Sequence, residues 1–138
     1  MYSTVAQLRA NVPSLASKNI NDNDVEDRIT LADSYIDVWR GTLGYTSSVP
    51  EPIPTVINLI SQMWTAELVL RRFYLGMEKM PEDFAYYKEQ RELLQNQVES
   101  GMAIKDSGGV VLFQYTAADY SNSLPDDTYF GYGRYGQA

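Results

Sequence analysis

Neither cysteine nor histidine occurs anywhere in the 138 residues. The first absence removes disulfides, thiol nucleophiles and thiolate metal sites. Together the two remove Ser-His-Asp triads, Cys-His dyads and the common zinc sets. Long apolar runs are missing as well. The longest candidate, in residues 54–76, is interrupted by Asn58, Ser61, Gln62, Thr65 and Glu67. It falls short of the roughly eighteen apolar residues that mark a membrane span, so no membrane partner is expected. The N-terminus lacks a basic start, a greasy middle and a small-residue cleavage site, and no secretory signal is expected. Positive charge is scarce: 11 Lys and Arg stand against 18 Asp and Glu, a net charge of −7. A sequence-independent grip on DNA or RNA needs a basic surface that displaces counterions. An acidic wall instead repels a polyanion and lets it pass. No enzyme chemistry and no cofactor are expected from this composition.

What is present suffices for one domain with a genuine core, and residues 54–76 organise it. Val56, Leu59, Ile60, Met63, Ala66, Leu70, Phe73 and Tyr74 recur at the spacing of one helical face. Ile57, Trp64, Leu68 and Leu75 form a second stripe. A surface helix needs only one stripe, so two predict packing partners on both sides. Pro54 suits the first helical position and Gly76 the left-handed stop. Arg71 and Arg72 fall in the last turn, where the helix dipole favours cations.

Upstream, Thr4 and Gln7 read as a capping box for a short helix that Pro13 ends, with Val5, Leu8 and Val12 on one face. A polar, turn-rich loop follows. A second helix is expected from Asn23, capped with Glu26, along the seam Val25, Ile29, Ala32, Ile36, Trp39 and Leu43. Gly41 and Gly44 offer two stops, and Pro50, Pro52 and Pro54 stiffen the link into the central helix. Downstream, Pro81 opens a last helix with Phe84, Tyr87, Leu94 and Val98 on one face; Arg91 interrupts that face, and Gly101 closes the helix. The expected fold is therefore mainly α: a small helical bundle around a long central helix, residues 1–101. Residues 102–138 form an extended C-terminal arm, in which Gly108 and Gly109 mark the turn of a short β-strand or hairpin.

Three groups of residues invite a functional reading. Asp22, Asp24 and Glu26 stand two apart like calcium-loop ligands, but the sixth position is Asp27 instead of Gly and the twelfth is Asp33. Helix capping explains them better, so no metal is expected. Asp37 has two readings: a local pair with Arg40, or an ion pair with Arg71 or Arg72 that fixes how two helices cross. The C-terminal arm is rich in aromatics, unlike most disordered segments. It suits anchoring in a partner's grooves, through Phe113, Tyr115, Tyr120, Tyr129, Phe130, Tyr132, Arg134 and Tyr135.

The layout resembles that of a known family. Tyr2, Thr4, Leu8 and Arg9 form a Tyr-x-Thr-x-x-x-Leu-Arg start ahead of an Asn/Asp-rich loop. A helix bearing Ile36-Asp37 leads through a proline-containing link into a long apolar helix ending in Arg71-Arg72, and a last helix ends at Gly101. Over residues 1–101 this is similar to the head–tail connector (adaptor, or head-completion) proteins of tailed bacteriophages, including the Mu-like type. The resemblance implies a structural virion protein, assembled in the host cytoplasm. It further implies a homo-oligomeric, dodecameric ring beneath the portal protein, a downstream neck or tail protein as second partner, and DNA passing through without specific binding. Rival expectations are another neck component, such as a stopper or tail-completion protein, and a small cellular helical module that binds one protein.

Overall fold

The computed structural model describes residues 1–16, 20–74 and 82–116. It is mainly helical. In chain order come α1 (Val5–Asn11), a 3-10 turn (Pro13–Ala16), α2 (Asp22–Thr42), α3 (Thr55–Tyr74), α4 (Glu82–Glu99), β1 (Ile104–Lys105) and β2 (Val111–Phe113). Among the described residues, no helix is long and apolar enough to cross a membrane.

Local chemistry sets most boundaries. The Thr4 side chain accepts from the Gln7 backbone N–H while the Gln7 side chain returns to the Thr4 N–H, a complete capping box. The cap of α2 is Asn21, whose side chain accepts from the Asp24 N–H; the expected Asn23 lies inside the helix. Two good capping residues stand two apart here, and Asn21 alone has the extended backbone a cap requires. Both α2 and α4 end by the same device. Gly44 at φ +92° and Gly101 at φ +111° adopt left-handed backbone. The N–H groups of Gly44 and Tyr45 then return to the carbonyls of Gly41 and Arg40, and those of Gly101 and Met102 to Val98 and Gln97. The expected marks at Gly76 and Pro81 lie outside the described residues.

α3 is the centre, with α2 and α4 packed against it. Both run antiparallel to it. Val25 and Ile29 share a cluster with Ala66, Val69 and Leu70, while Ile36 shares another with Ile57 and Ile60. The first cluster also takes Leu8, Val12, Leu15 and Ile20 from the N-terminal segment and Tyr87 from α4. The second takes Tyr45, Val98 and Ile104, with Phe113 and Leu112 against it. Burying each large side chain contributes about 1.5 to 3 kcal/mol, so α3 ties together both halves of the core. Its polar residues are inside too: Ser61, Gln62, Thr65 and Glu67 are all buried. The strands form one antiparallel hairpin, Ile104 opposite Phe113 and Lys105 opposite Val111, with an irregularity between Ile104 and Lys105. The Asp106 carboxylate accepts from the N–H groups of Gly108 and Val110 and shapes the turn.

The hairpin is not part of a free arm. Ile104 is buried, and Leu112 and Phe113 pack against the second cluster. The folded body thus continues through the hairpin, beyond the expected boundary at residue 101. The apolar Ile104, Leu112 and Phe113 gave the hairpin side chains to bury, and the bundle supplied the seat.

Candidate functional site

Around the N-terminus a polar network ties the first residues to α2 and α3. The Tyr2 N–H donates to Asp33 Oδ2 at 2.8 Å. Ser61 Oγ donates to Asp33 Oδ1 at 2.9 Å and lies 2.8 Å from Ser3 Oγ. Asn58 Nδ2 donates to the Tyr2 carbonyl and to Gln7 Oε1, at 2.8 and 2.9 Å. Asn11 donates to Gln62, which donates on to Asn58. Burial raises the Asp33 carboxyl above its ordinary value, against the opposing hydrogen bonds from Tyr2 and Ser61. The Tyr2 hydroxyl donates to Asp37 Oδ1 at 2.5 Å. Burial first, and then that carboxylate, push the phenol up to about 12. Arg9 clamps the following turn, donating to the carbonyls of Leu15 and Ile20 and pairing with Asp22 at 2.7 Å.

Asp37 pairs with Arg40 at 3.1 Å and accepts from Tyr2. The interhelix pair expected with Arg71 or Arg72 does not form. Asp33 meets Ser61, so in antiparallel packing Asp37 lies level with Ile57. Arg71 is then about fourteen residues along the axis, on the order of 20 Å away. Arg71 instead lies over the Phe84 ring, 5.7 Å from its centre. Arg40 is fully engaged, donating also to the carbonyls of Tyr45 and Ser47 and stacking on the Tyr45 ring.

Glu67 and Arg91 do pair between α3 and α4, at 2.5 and 3.0 Å. Arg91 also donates to Gln95 and sits 4.5 Å from the Trp64 ring centre. In the sequence both residues read only as interruptions of apolar stripes. Their signal was nevertheless there: Glu67 is the sole acid of α3, and Arg91 lies on the buried face of α4. A charge on a buried face calls for an opposite charge on the facing element.

Of the residues expected to reach a partner, Phe113 is stacked on Tyr45 of its own bundle, ring centres 5.0 Å apart and planes 5° from parallel. The hairpin thus has an apolar seat on its own chain, where Phe113 is half-buried. Tyr115 is half-buried beside it. Tyr120, Tyr129, Phe130, Tyr132, Arg134 and Tyr135 lie outside the described residues.

The acidic start of α2 acts as capping predicts, with Asp22 and Asp24 in the first turn. Among the described residues no group of three or more carboxylates is placed to hold a metal ion. A cleft of about 390 Å³ opens beside Met1, Tyr2, Gln7 and Asn58, and its lining holds one carboxylate, Glu51. A single acid does not make the paired arrangement of acid–base hydrolysis.

Large apolar side chains remain on the outside at Tyr35, Val38, Tyr86, Leu93, Val110 and Val111. Tyr35 and Val38 continue one side of α2 from Leu31, and the Tyr35 ring meets Trp64 at 5.4 Å. Beyond them Trp39 Nε1 donates to Glu99 at 2.7 Å, bridging α2 to α4. These side chains form an aromatic side of α2 and α3. Comparison with family models, curated proteins and solved structures found no match to any of them.

Proposed function

We infer that the protein is a structural component of a virion neck: a head-to-tail adaptor that forms a ring beneath the portal, through which the genome passes. One observation carries the reading. Most of the residues on which the resemblance rests are ones that hold the chain together; the exposed Arg71 and Arg72 are not. Tyr2 reaches Asp33 and Asp37, Thr4 caps α1, Leu8 is fully buried, Arg9 clamps the turn to Ile20, and Ile36 is fully buried in the second cluster. A pattern spread over solvated positions would arise easily by chance in a helical sequence. A pattern of cap, core and clamp specifies a fold, and the resemblance in sequence layout, an analogy, is the warrant offered for the function. The acidic balance suits a channel that does not hold DNA.

The aromatic segment beyond residue 116 supplies the contacts to portal or neighbouring subunit in this reading. Light scattering of the full chain mixed with its portal tests it. A complex of ring size is expected, and loss of that complex on replacing Tyr129, Phe130 and Tyr132 by Ser. A chain that stays monomeric with and without portal overturns the adaptor reading and favours a cellular module that binds one protein. The mainly helical body already sits poorly with a β-barrel stopper.

A further inference from the structure

The exposed aromatic side of α2 has an occupant within reach. Leu31, Tyr35 and Val38 recur along one side of the helix; Val38 is 68% exposed and Tyr35 39%. Trp64 of α3, half-buried, lies against Tyr35, and Trp39 closes the lower end through its bond to Glu99. A row of side chains this large, half in solvent, is more than scattered surface exposure.

The path of the chain points to what covers it. After β2 the backbone returns to the end of α4. Gln114 Nε2 donates to the Gly101 carbonyl at 2.8 Å, and the Tyr115 carbonyl would lie 3.6 Å from a Cβ at Gly101. Gly101 is two residues past Glu99, the partner of Trp39. The described chain therefore ends at the foot of the aromatic row. About 22 residues follow, and at roughly 3.3 Å each they span on the order of 70 Å when extended. The row from Trp39 to Leu31 is eight helical residues, about 12 Å. The following segment holds Leu124, Tyr129, Phe130, Tyr132 and Tyr135, and its Asp126-Asp127 pair matches the cation Arg28, which continues the side of Leu31 and Tyr35.

We propose that in the isolated chain residues 117–138 dock along the Leu31–Tyr35–Val38 side of α2 and the neighbouring Trp64, covering it in cis. The tether decides between cis and trans. A short linker gives an effective concentration on the order of mM, well above that of a free second copy. The docking concerns the free chain and does not depend on whether it joins a portal.

The chain's two tryptophans, Trp39 and Trp64, both lie in this row, so intrinsic fluorescence reads the proposed site directly. The full-length protein is compared with the full-length Tyr129→Ser/Phe130→Ser/Tyr132→Ser variant, whose substitutions change no residue of the helices or the hairpin. Acrylamide quenching about twofold stronger in the variant, with a red-shifted emission, is the expected result. Protection in the native chain should persist on dilution. Because the chain has no cysteine, a dye acceptor on Gln137→Cys gives a second reading, energy transfer from the tryptophans independent of protein concentration. Equal quenching in the two proteins overturns the proposal. Protection or transfer that disappears on dilution overturns it too, by assigning the row to a second copy.

Discussion

At the N-terminus, residues 2–11 meet α2 and α3 through a dense set of hydrogen bonds to Asp33, Asn58, Ser61 and Gln62, beside the apolar seat of Leu8. The hairpin meets the same bundle through Ile104, Leu112 and Phe113 against Tyr45, Ile57 and Ile60, mainly by apolar contact. Both segments lie against α3, and the chemistry of each gives it a different character. Hydrogen bonds fix position to within an atom, contribute about 0.5 to 1.5 kcal/mol each, and fail when a partner is removed or changes protonation. Apolar burial contributes more, tolerates swaps of similar shape, and is indifferent to pH. The N-terminal junction sets register; the hairpin junction supplies adhesion.

The largest break lies where the two chemistries meet, at the attachment of α4, which carries the hairpin. Glu67→Ala strands Arg91, and with side chains only 4% and 14% exposed neither is well solvated. A loss of about 3 to 5 kcal/mol is expected by denaturant unfolding. The paired replacement Glu67→Met with Arg91→Leu should recover most of it, because no charge is left behind. Next comes the hairpin seat. Ile104, 1% exposed, should cost about 2 to 5 kcal/mol when changed to Ala. The loss should be the same in mildly acidic and mildly alkaline buffer, and the near-ultraviolet dichroism of the Tyr45–Phe113 stack should fall with it.

The hydrogen bonds of the N-terminal junction should each be weaker than the hairpin's apolar seat. Asn58→Ala leaves the Tyr2 carbonyl and Gln7 Oε1 without their donor. A cost of about 1 to 3 kcal/mol is expected, toward the low end because the site is half-buried. Smallest is the Tyr2 hydroxyl. Its phenol is raised from 10.0 to about 12 in the fold, so the native state holds this proton more tightly than the unfolded chain does. The contribution is complete below pH 10 and is lost as pH rises through about 12. Tyr2→Phe should cost about 1 kcal/mol at neutral pH and remove this step from the alkaline unfolding profile. If Ile104→Ala proved as pH-sensitive as the N-terminal variants, the contrast between the junctions would fail.

Much of the fold was legible because the relevant signals are local. Thr4 with Gln7, Gly101, Gly44 (one of the two stops offered) and the stripes of α3 as far as Phe73 each act within a few residues, and the structure places them inside or at the ends of the expected helices. The interruptions of those stripes were harder. Ser61 and Glu67 look like exposed positions by composition, yet both are buried, because partners 28 and 24 residues away satisfy them. Such pairing depends on how helices stack, which no local spacing records. The same gap explains Asp37. Its sequence neighbourhood allowed a local and a long-range partner, and only the antiparallel course of α2 on α3 excludes Arg71 and Arg72. Phe113 was assigned to a partner because its segment is aromatic and turn-rich; the seat beside Tyr45 is built from three separate elements and has no sequence signature.

The adaptor reading is tested most directly by electron microscopy of the full-length protein mixed with the portal ring of the same virus. A second ring of density stacked coaxially on the portal, wide enough at its centre for a DNA duplex, is the expected result. Portal rings unchanged beside a solitary, monomeric chain would contradict it.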